Sequence, residues 1–149
     1  MNESAPRVVL DTNVCLDLFL FDDPRVARLR DALQAGAVVA AIDDVCREEW
    51  LRVLDYPQLG LDDAQRATAI ARFDASMMPA SVAAATKRDR PSLPRCKDPD
   101  DQKFLELALH ADACWLLSRD DHLLALAART RRAGLFEILT PQAWAAAFT

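Results

Sequence analysis

Short, almost unbroken apolar runs recur along this chain, each separated from the next by a longer stretch of helical periodicity. No other feature of the sequence limits the fold as much. Residues 7–10, 37–42, 114–117 and 136–139 are strand-length runs, exemplified by Val8-Val9-Leu10 and Cys114-Trp115-Leu116-Leu117. Helical patterns cover 14–21, the segment between Pro24 and Gly36, 43–54, 62–75, 98–111, 123–133 and 140–148. A strand that is apolar on both faces must be covered on both faces, and helices between parallel strands do that. The pattern predicts an α/β chain with a central, mainly parallel twisted sheet. At 149 residues it is expected to form a single domain over 1–149, large enough to bury roughly two-thirds of its unfolded surface.

Local signals sharpen the boundaries. Thr12 and Asn13 offer cap chemistry for the helix over 14–21, an apolar segment interrupted by Asp17. Pro24 suits the first turn of the next helix, whose apolar stripe is Val26, Leu29 and Leu33, and Gly36 suits its C-terminal cap. Gly134 closes the helix over 123–133 in the same way. The stretch 78–97 is irregular, with Pro79, Pro91 and Pro94, and holds a short extended candidate at 81–85.

Within this frame the carboxylates fall at informative places. In a parallel sheet covered by helices, ligands bind beyond the carboxyl ends of the strands. Asp11 directly follows the first strand, and Asp120 follows 114–117 by three residues. Asp98-Pro99-Asp100-Asp101 opens a helix leading back into a strand, which places it at the same edge. Each has a structural rival. Asp11 can cap the following helix, although Thr12 or Asn13 can do so instead and free it to ligate. Asp98 as cap, Pro99 at the first helical position and acids in the first turn are what helix initiation alone favours. Asp101, however, shares a face with Phe104, Leu105 and Ala108, at the rim of the buried stripe. Asp98 reads mainly as the cap, supporting the ligating carboxylates, and Asp100 is left open. Either Asp120 or Asp121 can cap the helix at Leu123, and Ser118 can hydrogen-bond a ligand carboxylate or serve as a turn hydroxyl. Helical geometry separates Glu48 from Glu49. With Cys46, Trp50, Val53 and Leu54 on one face, Glu49 sits roughly 85° from its centre, whereas Glu48 points to solvent.

Side chains offering oxygen alone select a hard dication, Mg²⁺ or Mn²⁺. The two histidines have no paired ligand spacing, His110 falling mid-helix and His122 in a loop. The four cysteines lack any C-x-x-C pair, which excludes a zinc signature and favours reduced, buried thiols in a cytoplasmic protein. Three glycines in the chain leave no material for a phosphate-cradling loop. The net charge of −5 excludes bulk coating of nucleic acid but not a nuclease, because bound cations offset clustered acids. No run is long enough to span a membrane, and the first six residues lack a signal-like core. Lys87, Arg88, Arg90, Arg95 and Lys97, just before the acidic helix, either guide an RNA backbone or form a solvated loop. Trp50, Trp115 and Trp144 sit in apolar patterns and are expected in the core.

The chain resembles the PIN-domain family. The similarity lies in Val-Leu-Asp-Thr-Asn-Val at 9–14, Glu-Glu-Trp-Leu-Arg-Val-Leu at 48–54 and Lys-Asp-Pro-Asp-Asp-Gln-Lys-Phe-Leu-Glu-Leu-Ala at 97–108. It continues in Leu-Leu-Ser-Arg-Asp-Asp-His-Leu-Leu at 116–124 and Leu-Thr-Pro-Gln-Ala-Trp at 139–144. It looks most like the toxin branch of toxin–antitoxin pairs, the VapC-type ribonucleases. That resemblance implies a three-layer α/β/α fold, Mg²⁺- or Mn²⁺-dependent RNA cleavage, frequent homodimers and a cognate antitoxin partner. It places Asp11, Glu49, Asp101 and Asp120 on the family's four acids and Asp98 on an accessory acidic position, with Asn13 and Ser118 beside them. One departure is His122, where the family often carries a further Asp, which puts an additional ligand in doubt. The expected activity is metal-dependent hydrolysis of RNA phosphodiesters, leaving a 5′-phosphate and a 3′-hydroxyl. The rivals are a PIN-like module that binds RNA or protein without cutting, and a phosphatase-type enzyme with Asp11 as nucleophile. The second lacks the usual Asp-x-Asp pair, since Asp11-Thr12-Asn13 stands in its place.

Overall fold

The computed structural model describes residues 5–80 and 93–148. Its strands are β1 (Arg7–Leu10), β2 (Val39–Ile42), β3 (Met77–Pro79), β4 (Trp115–Leu117) and β5 (Glu137–Leu139). They form one sheet in the order β3-β2-β1-β4-β5, with every neighbouring pair parallel. Helices α1 (Thr12–Phe19), α2 (Ala27–Gln34), α3 (Asp44–Leu54), α4 (Asp63–Ser76) and α5 (Gln102–His110) connect the first four strands. Helices α6 (Asp121–Leu124) and α7 (Ala127–Arg132) lead to β5, and α8 (Pro141–Ala147) follows it. The α/β architecture with a parallel sheet flanked by helices is the one expected from the alternation of runs.

The strand order fixes where a ligand can bind. From β1 the chain steps to β2 and then β3 on one side, and only afterwards crosses to β4 and β5 on the other. The crossover directions therefore diverge between β1 and β4, and in sheets of this kind that is where a ligand crevice lies, beyond the carboxyl ends. The register Val9↔Leu116 and Leu10↔Leu117 holds the two ends level. Asp11 N–H extends the ladder by donating to the Leu117 carbonyl at 3.0 Å, so the chains emerging from β1 and β4 begin side by side.

Packing explains why these ends are rigid. Val8, Val9, Leu116 and Leu117 are wholly buried. Phe19, Trp50 and Phe73 join α1, α3 and α4 in an aromatic cluster, with Trp50 stacked on Phe73 at 5.0 Å between centroids. Trp115, Trp144 and Phe148 form a second cluster at α8, Trp144 stacking on Phe148 at 4.7 Å. Burying such rings supplies the large apolar area that offsets backbone ordering. The tryptophans thus belong to the core, Trp115 being only partly covered. No helix among the described residues is long and apolar enough to cross a membrane.

Several local expectations are corrected. Helix α1 starts at Thr12 rather than at residue 14, because Asp11 itself occupies the cap with extended backbone angles and its carbonyl accepts from Val14 N–H at 3.0 Å. The proline at 24 opens a 3₁₀ turn, Pro24–Val26, and regular α-helix begins only at Ala27. The third strand is Met77–Pro79, entered directly from α4 without a loop; the extended candidate at 81–85 lies outside the described residues. The expected helix over 123–133 starts at Asp121 and is divided into α6 and α7, since Ala125 and Leu126 fall between them.

Candidate active site

Four elements deliver acids to the β1/β4 crevice. Asp11 caps α1 and is almost fully buried. Its Oδ1 lies against the backbone N–H of Thr12, while Oδ2 accepts from Ser118 Oγ at 2.6 Å and from Asn13 Nδ2 at 3.3 Å. Capping α1 does not bar Asp11 from ligating, because a carboxylate has about four lone-pair sites. Burial pushes the Asp11 carboxyl up to about 6 despite the lowering effect of the Ser118 and Thr12 hydrogen bonds, and the charges of Glu49 and Asp120 push the same way.

Asp98 caps the 3₁₀ turn Pro99–Asp101, accepting from Asp100 N–H at 3.0 Å, which is the helix-initiation role read from sequence. That turn lifts Asp101 into a buried position, only 8% exposed. Asp101 Oδ2 is buried with no hydrogen-bond partner. Its carboxyl is pushed up to about 8 by burial first, then by the close approach of Asp120 and the charges of Asp11 and Asp98. Asp100 is exposed.

Asp120 caps α6, accepting from His122 N–H at 2.8 Å, and Ser118 Oγ accepts from Asp120 N–H at 2.9 Å. Ser118 is therefore a bridge: its hydroxyl joins Asp11 to the turn that carries Asp120. One carboxylate oxygen each from Asp98, Asp101 and Asp120 and one imidazole nitrogen of His122 lie within 4.8 Å of one another. The structure thereby brings His122 into the acidic cluster, where the sequence left an extra ligand in doubt, and makes Asp98 a cluster member as well as a cap.

Glu49 stands at the boundary of its helix face, half-buried, while Glu48 is exposed, as helical geometry required. Glu49 is not among the four residues of the tight cluster. Instead its two oxygens meet the Thr12 hydroxyl, which donates to Oε2, and the Lys103 ammonium beside Oε1. Lys103 was missed by sequence reasoning. It lies five residues after the cap residue Asp98 and two after Asp101, in Asp-Asp-Gln-Lys, and that local sequence does not name Glu49 as its partner. Asp17 was also passed over. It is buried, and Arg119 holds it bidentately, Nε to Oδ2 at 2.9 Å and Nη2 to Oδ1 at 3.1 Å. A lone acid inside an apolar helix announces such a partner, because an unpaired buried carboxylate is too costly.

Of the expected RNA contacts, Arg95 and Lys97 are exposed, whereas Lys87, Arg88 and Arg90 lie outside the described residues. Gln102 ties the first two to the acidic turn: its Oε1 accepts from Cys96 N–H at 2.7 Å and its Nε2 donates to the Pro94 carbonyl at 3.2 Å. Cys15, Cys46 and Cys96 are buried thiols, Cys114 is exposed, and none is in a disulfide.

The family model described as "PIN domain" matches residues 7–122, which includes every one of these acids. The chain belongs to the PIN-domain family. No protein of the curated set matches the sequence. Among solved structures, the PIN fold here is similar to a chain of VapBC2 from Rickettsia felis bound to a DNA fragment from their promoter. The TM-score is 0.54 at 12% identity, covering 89% of this chain and 96% of that one. PIN-domain nucleases use divalent metals, and the residues present fit such a group. The donors are dominated by carboxylate oxygens, and the orphaned Asp101 oxygen has no protein partner to satisfy it.

Proposed function

We propose that the chain, acting as one domain, is a divalent-metal-dependent endoribonuclease and the toxin member of a toxin–antitoxin pair. The observation that carries this reading is the convergence of Asp98, Asp101, Asp120 and His122, with Asp11 near enough to raise the Asp101 carboxyl and a buried Asp101 oxygen unsatisfied by the protein. Bound Mg²⁺ or Mn²⁺ would supply a nucleophilic water of lowered pKa and Lewis-acid stabilisation of the phosphate. Asp11, Asp101 and Asp120 are the proposed holders of the metal. Glu49, whose oxygens meet Thr12 and Lys103, is proposed to hold a second ion or a metal-bound water. Arg95 and Lys97 are proposed to hold the RNA backbone beside the acids, together with Lys87, Arg88 and Arg90 from the preceding segment.

The toxin assignment is supported by fold similarity to a VapBC2 chain, and it brings three expectations: a cognate antitoxin, a homodimer and a cytoplasmic site of action. Three unpaired buried thiols agree with a reducing compartment. The phosphatase-type rival is disfavoured because Asn13 stands where such an enzyme needs the second aspartate of its Asp-x-Asp pair.

The deciding experiment incubates the purified protein with defined RNAs and Mn²⁺, with and without a chelator, and maps the product ends. Chelator-sensitive cleavage leaving 5′-phosphate and 3′-hydroxyl ends is expected. RNA that binds but stays intact in Mn²⁺ and in Mg²⁺ would replace this reading with that of a non-cutting PIN module.

A further inference from the structure

The metal site of the proposed nuclease need not be an all-oxygen one. We infer that His122 is a nitrogen ligand of its cation, and that this chain consequently selects a first-row transition dication over Mg²⁺. The inference rests on the proposed metal-dependent reading and deepens it.

The geometry is the first argument. One atom each of Asp98, Asp101, Asp120 and His122 falls within a 4.8 Å span. Opposite donors on an ion with bonds of about 2.1 Å are about 4.2 Å apart, so the group needs to close by only a few tenths of an ångström. Acids gathered at a helix start do not by themselves make a site, but here Asp101 is over nine-tenths buried and its Oδ2 has no partner. An oxygen so placed is satisfied by a proton shared with Asp120 or by a bound cation, and a cation also relieves the repulsion of the neighbouring acids.

The second argument concerns what the imidazole is free to do. His122 sits in the first turn of α6, its backbone N–H donating to Asp120 Oδ1 at 2.8 Å, so ring and carboxylate are carried by one turn. The ring Nδ1 is 3.8 Å from that same oxygen, too far for a hydrogen bond. The side chain is half-exposed, so it stands at the mouth of the cluster with a nitrogen uncommitted to Asp120. Its neighbours are acids, which favour a cation beside it.

The chemistry then sets the preference. Mg²⁺ takes oxygen ligands and holds its waters tightly, whereas imidazole bonds increase in strength from Mn²⁺ through Co²⁺ along the first row. Exchanging one oxygen donor for nitrogen tilts a three-carboxylate site away from Mg²⁺.

The test uses the untagged full chain loaded with Mn²⁺. Pulsed electron paramagnetic resonance should detect ¹⁴N coupling to Mn²⁺ in the parent protein, and none in His122→Asp or His122→Ala. Calorimetry with Mn²⁺, Co²⁺ and Mg²⁺ should show the Mn²⁺:Mg²⁺ affinity ratio falling by about tenfold in His122→Asp, which restores an oxygen donor. Far-UV circular dichroism controls for folding, which an exposed His122 is not expected to affect. Mn²⁺ bound without ¹⁴N coupling, or an unchanged ratio in His122→Asp, overturns the inference while leaving a metal-dependent nuclease intact. Failure of all three dications to bind overturns both.

Discussion

Ser118 Oγ donates to Asp11 Oδ2 at 2.6 Å across 107 residues of sequence, tying the end of β4 to the end of β1. The same hydroxyl accepts from Asp120 N–H, so one buried side chain sets the separation of two acids. Ser118→Ala removes both contacts. Denaturant unfolding is expected to show a loss of about 1–3 kcal/mol, the cost of unsatisfied buried polar groups. Carboxyl-carbon NMR should place the Asp11 titration higher than in the parent, because a lowering hydrogen bond is gone. An unmoved Asp11 titration would show that the bridge is not present in solution.

Asp11→Asn keeps the size of the side chain and one acceptor oxygen, which can still cap Thr12 N–H, but removes its charge and the acceptor that faces Ser118 and Asn13. RNA cleavage is expected to be lost, while metal-free thermal stability above pH 7 rises, since a buried charge facing Glu49 and Asp120 has been neutralised. Cleavage assays and melting curves on the same preparation check the two halves. Full activity in the variant would remove Asp11 from the proposed machinery.

Stability without metal should depend on pH in the direction set by these raised carboxyls. Asp11 and Asp101 titrate at about 6 and about 8 in the folded chain, against about 3.9 in the unfolded one. The folded state therefore holds more protons between pH 4 and 8, and stability falls as pH rises through that window. Asp11 alone, shifted by about two units, accounts for about 3 kcal/mol. Asp22 and Asp74, held low by hydrogen bonds from Arg72 and Arg47, act oppositely, and their contribution is lost only on further acidification. A metal-free melting temperature higher at pH 5.5 than at pH 8, with the gap closed by Mn²⁺, is the expected result. A melting temperature that climbs from pH 5.5 to 8 in the presence of chelator would contradict it.

Much of this arrangement was written in the chain, for identifiable reasons. Strand-length apolar runs can be placed because strands buried on both faces leave no polar alternation, and Asp11 follows such a run directly and Asp120 by three residues. Glu49 could be separated from Glu48 because a 100° step puts them on different faces of α3. What escaped was whatever depends on distant partners. Nothing local to Asp17 names Arg119, and nothing local to Lys103 names Glu49, since each pair joins separate elements. His122 escaped for another reason: its role depends on the tight α6 turn that Asp120 caps, while the periodicity placed the helix two residues later.

Lys103 neutralises Glu49 from within the fold, with both side chains largely buried. Lys103→Met keeps the aliphatic stem and removes the charge, leaving Glu49 held by Thr12 alone. A loss of about 1.5–3 kcal/mol is expected in metal-free protein, the range for hydrogen bonds to charged groups. If the ammonium occupies ground that a second cation can take, Mn²⁺ should restore more stability to the variant than to the parent. Calorimetric stoichiometry and melting with and without Mn²⁺ decide this, and equal metal stabilisation of both proteins would reject it.

The Asp17–Arg119 pair gives an asymmetric prediction. Asp17 is 4% exposed at its side chain and Arg119 is 35% exposed, so the two partners are not equivalent once separated. Arg119→Ala strands a buried carboxylate and should cost about 3 kcal/mol or more. Asp17→Asn leaves a guanidinium able to turn into water and should cost clearly less. Because Arg119 lies between Ser118 and Asp120, its loss also loosens the turn carrying Asp120, and cleavage should fall further in Arg119→Ala than in Asp17→Asn. Paired denaturation and cleavage measurements test both orders at once. Equal destabilisation by the two variants would mean that Asp17 reaches solvent once Arg119 is removed.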